Sequence, residues 1–226
     1  MRLDKFLVDC GVGSRKDVKD IISNREIKIN GNIVTVSKTN INEYNDEIKY
    51  NDKILTYKKY RYYIMNKKAG YITATEDIKE KTVMDLLPNW VIKKDLSPVG
   101  RLDKDTEGLL LFTNDGKLNH KLLAPKSHVE KKYYVEIKKK LSQEEIEKIQ
   151  AGVNIGGYTT MPAKLEIIDE NKIFLTIKEG KFHQVKKMLK AVDNEVLYLK
   201  RVSFGKIELK NLNLGEVIEI NLEDII

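Results

Sequence analysis

Short β-rich runs, each closed by a turn signal and interleaved with helical patterns, constrain the fold of this chain more than any other feature. "EIKINGNIV" sets two such runs around Asn30-Gly31, a hairpin dipeptide because both residues tolerate positive φ. "DEIKY" offers a third strand to the same small sheet. Further on, "YRYYIMN", "YITAT", "GLLLF", "KKYYVEI", "AKLEII", "IFLTI" and "VLYLKRV" read as strands, with turns at Lys68-Ala69-Gly70 and Asn114-Asp115-Gly116. Between them lie a short helix at "TVMDLL", one ending at Pro125, and "HQVKKMLKAV". A further helix, "QEEIEKIQ", is opened by a Ser142–Glu145 capping box. Strands and helices in this order, with hairpin signals, predict an α+β fold whose sheet is mixed and mainly antiparallel and is flanked by helices. A doubly wound parallel sheet is disfavoured.

The first 50-odd residues form a unit of their own. Leu3, Phe6, Leu7 and Cys10 recur at helical spacing up to "GVG", and Ser14 caps a second helix with Val18, Ile21 and Ile22 on its apolar face. Arg2, Arg15, Lys16, Lys19 and Arg25 are spread over this helix pair, so one face is expected to be positive. "YKKYRYY" marks the join, as an RNA contact built from charge and stacking or as the strand that starts the next domain. The expected boundaries are residues 1–57 and 58–226.

Composition narrows the partners. The chain has 226 residues, room for one large domain or a domain plus a small module. Its 41 Lys+Arg exceed 34 Asp+Glu for a net charge of +7, which suits an anionic partner, nucleic acid first among them. Only Arg2, Arg15, Arg25, Arg61, Arg101 and Arg201 are arginines, so most of the charge is lysine, better at attracting phosphate than at reading bases. The lone Cys10 excludes an internal disulfide and suits a reducing compartment. "MRLDKFLVDC" lacks the apolar run of a signal peptide, and the expected location is the cytoplasm. His120, His128 and His183 lack metal-ligand spacing, so no metal is expected.

The chemistry concentrates at "GRLDKDTEGLLLF", where Asp103, Asp105 and Glu107 crowd between Arg101 and an apolar run. Turn formation alone explains such residues. Asp103-Lys-Asp105-Thr106 also fits the signature of haloacid-dehalogenase-like phosphatases, but there the apolar strand comes before the acids and here it follows them. A third reading, a carboxylate kept for catalysis, accounts for more of the chain.

That reading rests on resemblance. "VGRLDKDTEGLLLFTNDG" closely resembles the Gly-Arg-Leu-Asp motif of pseudouridine synthases. "NKKAGYITAT" resembles the family's Lys-Pro-x-Gly turn, with Lys68 in place of proline, and "HVEKKYYVEI" its Lys-x-Tyr segment. "EGKFHQVKKMLKAVDNEV" and "LKRVSFGKIEL" resemble the later motifs, so the likeness spans about residues 60–220. The opening "RLDKFLVDCGVGSRKDVKDIISNREIKING" is similar to the alpha-L RNA-binding motif. "FHQVKKM" and "APKSHVEKKYYV" point to the branch that modifies small-subunit, 16S ribosomal RNA; a large-subunit (23S) target and a catalytically silent RNA-binding protein are the alternatives. The resemblance implies site-specific isomerisation of a uridine to pseudouridine after base flipping, without a cofactor, in a monomer whose partner is ribosomal RNA or an assembly intermediate. It assigns catalysis to Asp103, to Tyr133 against the flipped ring, and to Lys186 as the cation that keeps Asp103 ionised. Arg101 would enter the vacated stack, and Lys131, His183, Gln184, Arg2, Arg15, Lys16 and Lys19 would bind RNA.

Overall fold

The computed structural model describes residues 1–226 and divides into two compact units, residues 1–60 with 89–96, and residues 61–88 with 97–226. The division falls after Tyr60, three residues beyond the expected boundary, and the first unit gains a segment from far along the chain.

The first unit pairs helices α1 (Leu3–Asp9) and α2 (Arg15–Ser23) with a four-stranded sheet of β1 (Ile27–Ile29), β2 (Asn32–Ile33), β3 (Ile48–Tyr50) and β4 (Lys53–Ile54), in the order β2-β1-β3-β4. Ser14 caps α2 through the Asp17 amide, and Asp17 returns the bond to Ser14. Asn30 and Gly31 both take positive φ, which is what a two-residue hairpin loop between right-twisted strands requires. Leu3, Phe6, Leu7, Val18, Ile22, Ile27 and Ile48 form the core. Tyr57 stacks on Phe6. Within this unit Lys94 pairs with Asp9, and Ile92 lies where a Cβ on Gly11 would stand, 2.8 Å from its Cγ1.

The second unit is built on a nine-stranded sheet. Its strands are β5 (Tyr62–Lys67), β6 (Ser97–Val99), β7 (Glu107–Thr113), β8 (Lys131–Ile137), β9 (Lys164–Asp169), β10 (Lys172–Ile177), β11 (Val196–Phe204), β12 (Ile207–Glu208) and β13 (Val217–Ile220). The order β13-β5-β7-β11-β8-β10-β9 is antiparallel except for β7 and β11, which run parallel; β6 pairs with β7, and β12 with β11. Helices α3 (Gly116–Leu123), α4 (Gln143–Ala151) and α5 (Gln184–Lys190) complete the unit. Leu109 to Phe112 are all fully buried, so β7 is covered on both faces. Gly108 is required there: its φ is +103° and a Cβ would sit 2.2 Å from the Arg201 carbonyl oxygen of β11. Gly116, which closes the Asn114-Asp115-Gly116 turn signal, has open space around a Cβ and simply begins α3.

"YITAT" is not a strand. Ile72 makes an isolated bridge with Thr82, and Thr73 turns its hydroxyl into the loop before β7. Val83–Leu86 forms a 3₁₀ turn closed by a Thr82–Asp85 capping box.

Candidate active site

The loop 100–106, between β6 and β7, carries Asp103, and its shape is set from beneath. Lys67, at the end of β5 and fully buried, donates from Nζ to the carbonyl oxygens of Thr106 (2.8 Å), Lys68 (3.1 Å), Asp103 (3.1 Å) and Lys104 (3.3 Å). Burial pushes this ammonium down to about 8, although Asp105, Glu107 and Asp103 oppose the drop. The Thr73 hydroxyl donates to the Leu102 carbonyl (2.7 Å) and accepts from its amide (3.1 Å), and the Gly70 amide donates to Lys104 (2.7 Å). Two stretches 29 or more residues apart in sequence thus make one rigid cradle. Lys67 is the residue that sequence reading missed. A lysine flanking an apolar strand reads as surface, and only the density of acids in the facing loop hinted otherwise.

Asp103 is about a quarter exposed, with Lys186 Nζ 3.4 Å from Oδ2 and His183 Nε2 3.6 Å from Oδ1. The expected Lys186–Asp103 pair is present but shared. Lys186 lies closer to Asp105, at 2.6 and 2.8 Å, so its ammonium bridges two carboxylates. Partial burial is the largest single influence on Asp105 and works against its ionisation, but the Lys186 bond and charge, a backbone hydrogen bond and His183 together outweigh it and hold that carboxyl below its ordinary range. His183 precedes α5 in a left-handed conformation (φ 53°), its ring stacked on the exposed Phe182 at 3.8 Å.

Tyr133, buried in β8, joins Arg101, Asp103, Thr106 and His183 around a cavity of about 60 Å³. A wider cleft of about 490 Å³ adjoins Tyr133 and Arg101 and is lined by Lys131, Tyr158, Lys181 and Arg201. Arg101 is exposed and makes no ion pair. Lys131 donates to the Val129 carbonyl (2.7 Å); burial, with the neighbouring Arg201, pushes it down to about 8. Gln184 is buried, and its amide is spent within the protein, on Glu179 (2.9 Å) and on the Lys181 backbone (2.9 Å). It is therefore oriented to hold the turn before α5 rather than to face RNA.

In the first unit Arg2, Arg15, Lys16 and Lys19 are all exposed. Arg2, Arg15 and Lys19 line a cleft of about 370 Å³ with Lys5 and Lys94, while Lys16 stands outside it. Asp4 binds Arg2 there.

Comparison with known proteins agrees with this geometry. The family pattern of RNA pseudouridylate synthases matches residues 61–191, and that of the S4 domain matches residues 1–48. The uncharacterized RNA pseudouridine synthase YtzG of Bacillus subtilis (strain 168) is 46% identical over all of this chain and 97% of its own length. Ribosomal small subunit pseudouridine synthase A of Haemophilus influenzae is 34% identical, covering all of this chain and 98% of the relative. Ribosomal large subunit pseudouridine synthase B of Bacillus subtilis is 33% identical over 99% and 93%. A crystal structure of a pseudouridylate synthase superposes with a TM-score of 0.69 at 34% identity, covering all of this chain and 98% of its own. The chain belongs to the RNA pseudouridine synthase family and carries an N-terminal S4 domain. It is an RNA-modifying isomerase. No helix is long and apolar enough to cross a membrane.

Proposed function

We propose that this synthase isomerises one uridine of 16S ribosomal RNA, with Asp103 as the catalytic carboxylate. The observation that carries the site is the convergence of Asp103, Tyr133 and Arg101 on one cavity, with a lysine ammonium 3.4 Å from the carboxylate. Making pseudouridine breaks N1–C1′ and joins C5 to C1′. One proton leaves C5 and one is gained at N1, so no net proton, electron or group is exchanged.

Asp103 acts at the sugar, as nucleophile or as base. Lys186 supplies the positive charge beside it. Tyr133 lies against the flipped ring and carries the proton. Unstacking the target costs a few kcal/mol, and Arg101, exposed and unpaired, fills the gap left in the RNA. Lys131 and Lys181 hold phosphates near the target, and the S4 cations hold phosphates of the same RNA, in a monomer acting on rRNA in the cytoplasm.

The small-subunit target is supported by the "FHQVKKM" and "APKSHVEKKYYV" segments and by the full-length small-subunit relative. A large-subunit uridine is the second reading, favoured by the large-subunit relative at nearly equal identity. Mapping pseudouridine in 16S and 23S RNA from a deletion strain decides between them. One site missing from 16S supports the proposal, one missing from 23S replaces it with the second reading, and a full complement in both would sink the rRNA assignment.

A further inference from the structure

Arg201 is the strangest charge in the molecule. It is 1% exposed, in the middle of β11, and no carboxylate faces it. Its Nε donates to the Leu109 carbonyl (2.8 Å), the Phe204 ring lies 5.1 Å from Cζ, and Tyr133 lines the same cleft beside it. Nη2 has no partner in the protein. A buried cation without a counter-charge is strongly disfavoured, and folds normally place an acid beside it. Here the neighbouring ionisable group is another cation, Lys131. The one group within reach that can become an anion is the phenol of Tyr133, paired with Arg201 across the β8–β11 register.

We propose that Arg201 is a positioning residue for Tyr133, acting as a built-in counter-charge for a phenolate that exists only during the reaction. The inference rests on the reading of Tyr133 as the proton carrier. Once C5 has joined C1′, the ring holds a hydrogen on C5 and lacks one on N1. Tyr133 gives its proton to N1 and becomes a phenolate. It then takes the C5 proton, and the C5–H electron pair restores the ring double bond. Tyr133 ends neutral, as it began. Arg201 and Tyr133 are cross-strand neighbours in one cleft, and Tyr133 also lines the cavity with Asp103, so the charge stands beside the phenol on one side and the reacting ring would lie on the other. The positive charge is already in place when the phenolate forms, so no dipole has to reorganise.

The test is a double-mutant cycle on single-turnover pseudouridine formation. Arg201→Met should lower the rate at saturating RNA about 10²–10³-fold, as for loss of one preorganised donor, with half-saturation unchanged within about twofold. Arg201→Lys should recover at least a tenth of the wild-type rate. In a Tyr133→Phe background, Arg201→Met should cost less than about threefold, because its partner is already gone. Losses that multiply, or a loss confined to half-saturation, would reduce Arg201 to a structural residue. If neither Arg201 variant folds, the pair is read with Arg201 intact: with only six arginines in the chain, ¹⁵N labelling resolves the guanidinium groups. Arg201 protons should exchange at least about tenfold faster in Tyr133→Phe, and equal protection would overturn the pairing. Absence of pseudouridine with the wild-type enzyme would instead refute the functional reading. A Tyr133→Phe enzyme as fast as wild type would remove the phenolate and this inference with it.

Discussion

The two units use positive charge in opposite ways. In the first, Arg2, Arg15, Lys16 and Lys19 stand in solvent, and those with partners hold local acids such as Asp4. In the second, Arg101 is exposed but the other cations about the candidate site are sunk into the protein: Lys67 and Arg201 are almost fully buried, and Lys186 is a quarter exposed. Exposed cations are screened by salt and are individually replaceable, which suits gripping a polyanion. Buried cations keep their strength and geometry, which suits holding a loop or meeting transient charge. Under the proposed function, address and reaction are thus separated by dielectric as well as by domain.

The largest expected effect is at Asp103. Asp103→Asn keeps shape and removes charge, so pseudouridine formation should fall at least about 10³-fold while Tm moves by less than about 2 °C. A matching loss of stability would return Asp103 to a turn-forming role, and near-normal turnover would remove it from catalysis.

Lys67→Met sharpens the contrast from the structural side. It removes the donor shared by four carbonyls in a buried cradle, and urea unfolding should show a loss of about 2–4 kcal/mol together with a large fall in rate. A stable, active Lys67→Met enzyme would mean that the loop holds its own shape. The same substitution at the exposed Lys16 should change stability by less than about 0.5 kcal/mol.

Lys186 lies between the two regimes. Lys186→Met should slow the chemical step about 10–100-fold, through loss of the charge beside Asp103. Asp105→Asn should change it by no more than about threefold, since Lys186 then has Asp103 alone to face. A larger loss in Asp105→Asn than in Lys186→Met would reverse the roles of the two carboxylates.

Much of this was legible in the sequence because it is local. The Asn30-Gly31 hairpin, the Ser14 and Ser142 caps and the buried run of β7 are each fixed by a few adjacent residues. The short edge strands were not. β6 contains Pro98, which ordinarily argues against a strand and is tolerated where one edge stays unpaired. "YITAT" has the composition of a strand, yet Thr73 is drawn into the Leu102 cradle. The buried roles of Lys67 and Arg201 depend on partners 36 to 92 residues away and on burial that overrides the usual preference of these side chains for water. Asp103 itself was legible through its motif, while the division of Lys186 between two acids needed coordinates.

A smaller effect follows from Lys131, whose ammonium is pushed down to about 8. It is charged below that pH and neutral above it, and a phosphate favours the charged form, so RNA affinity should weaken as pH rises through about 8. Binding isotherms for wild type and Lys131→Met should differ most at pH 7 and converge above pH 9. An identical pH dependence in both would take Lys131 out of the RNA contact.

The division of labour is tested most directly by a salt titration of single-turnover kinetics on the same ribosomal RNA fragment. Half-saturation should climb steeply between 50 and 200 mM salt, by about 0.7–0.9 log units per log of salt for each phosphate held. The rate at saturating enzyme should stay within about twofold over that range, because Lys67 and Arg201 are almost fully buried and only a quarter of Lys186 is exposed. A saturated rate that falls in parallel with affinity would show that the chemistry too depends on solvent-screened charge, and would contradict the account.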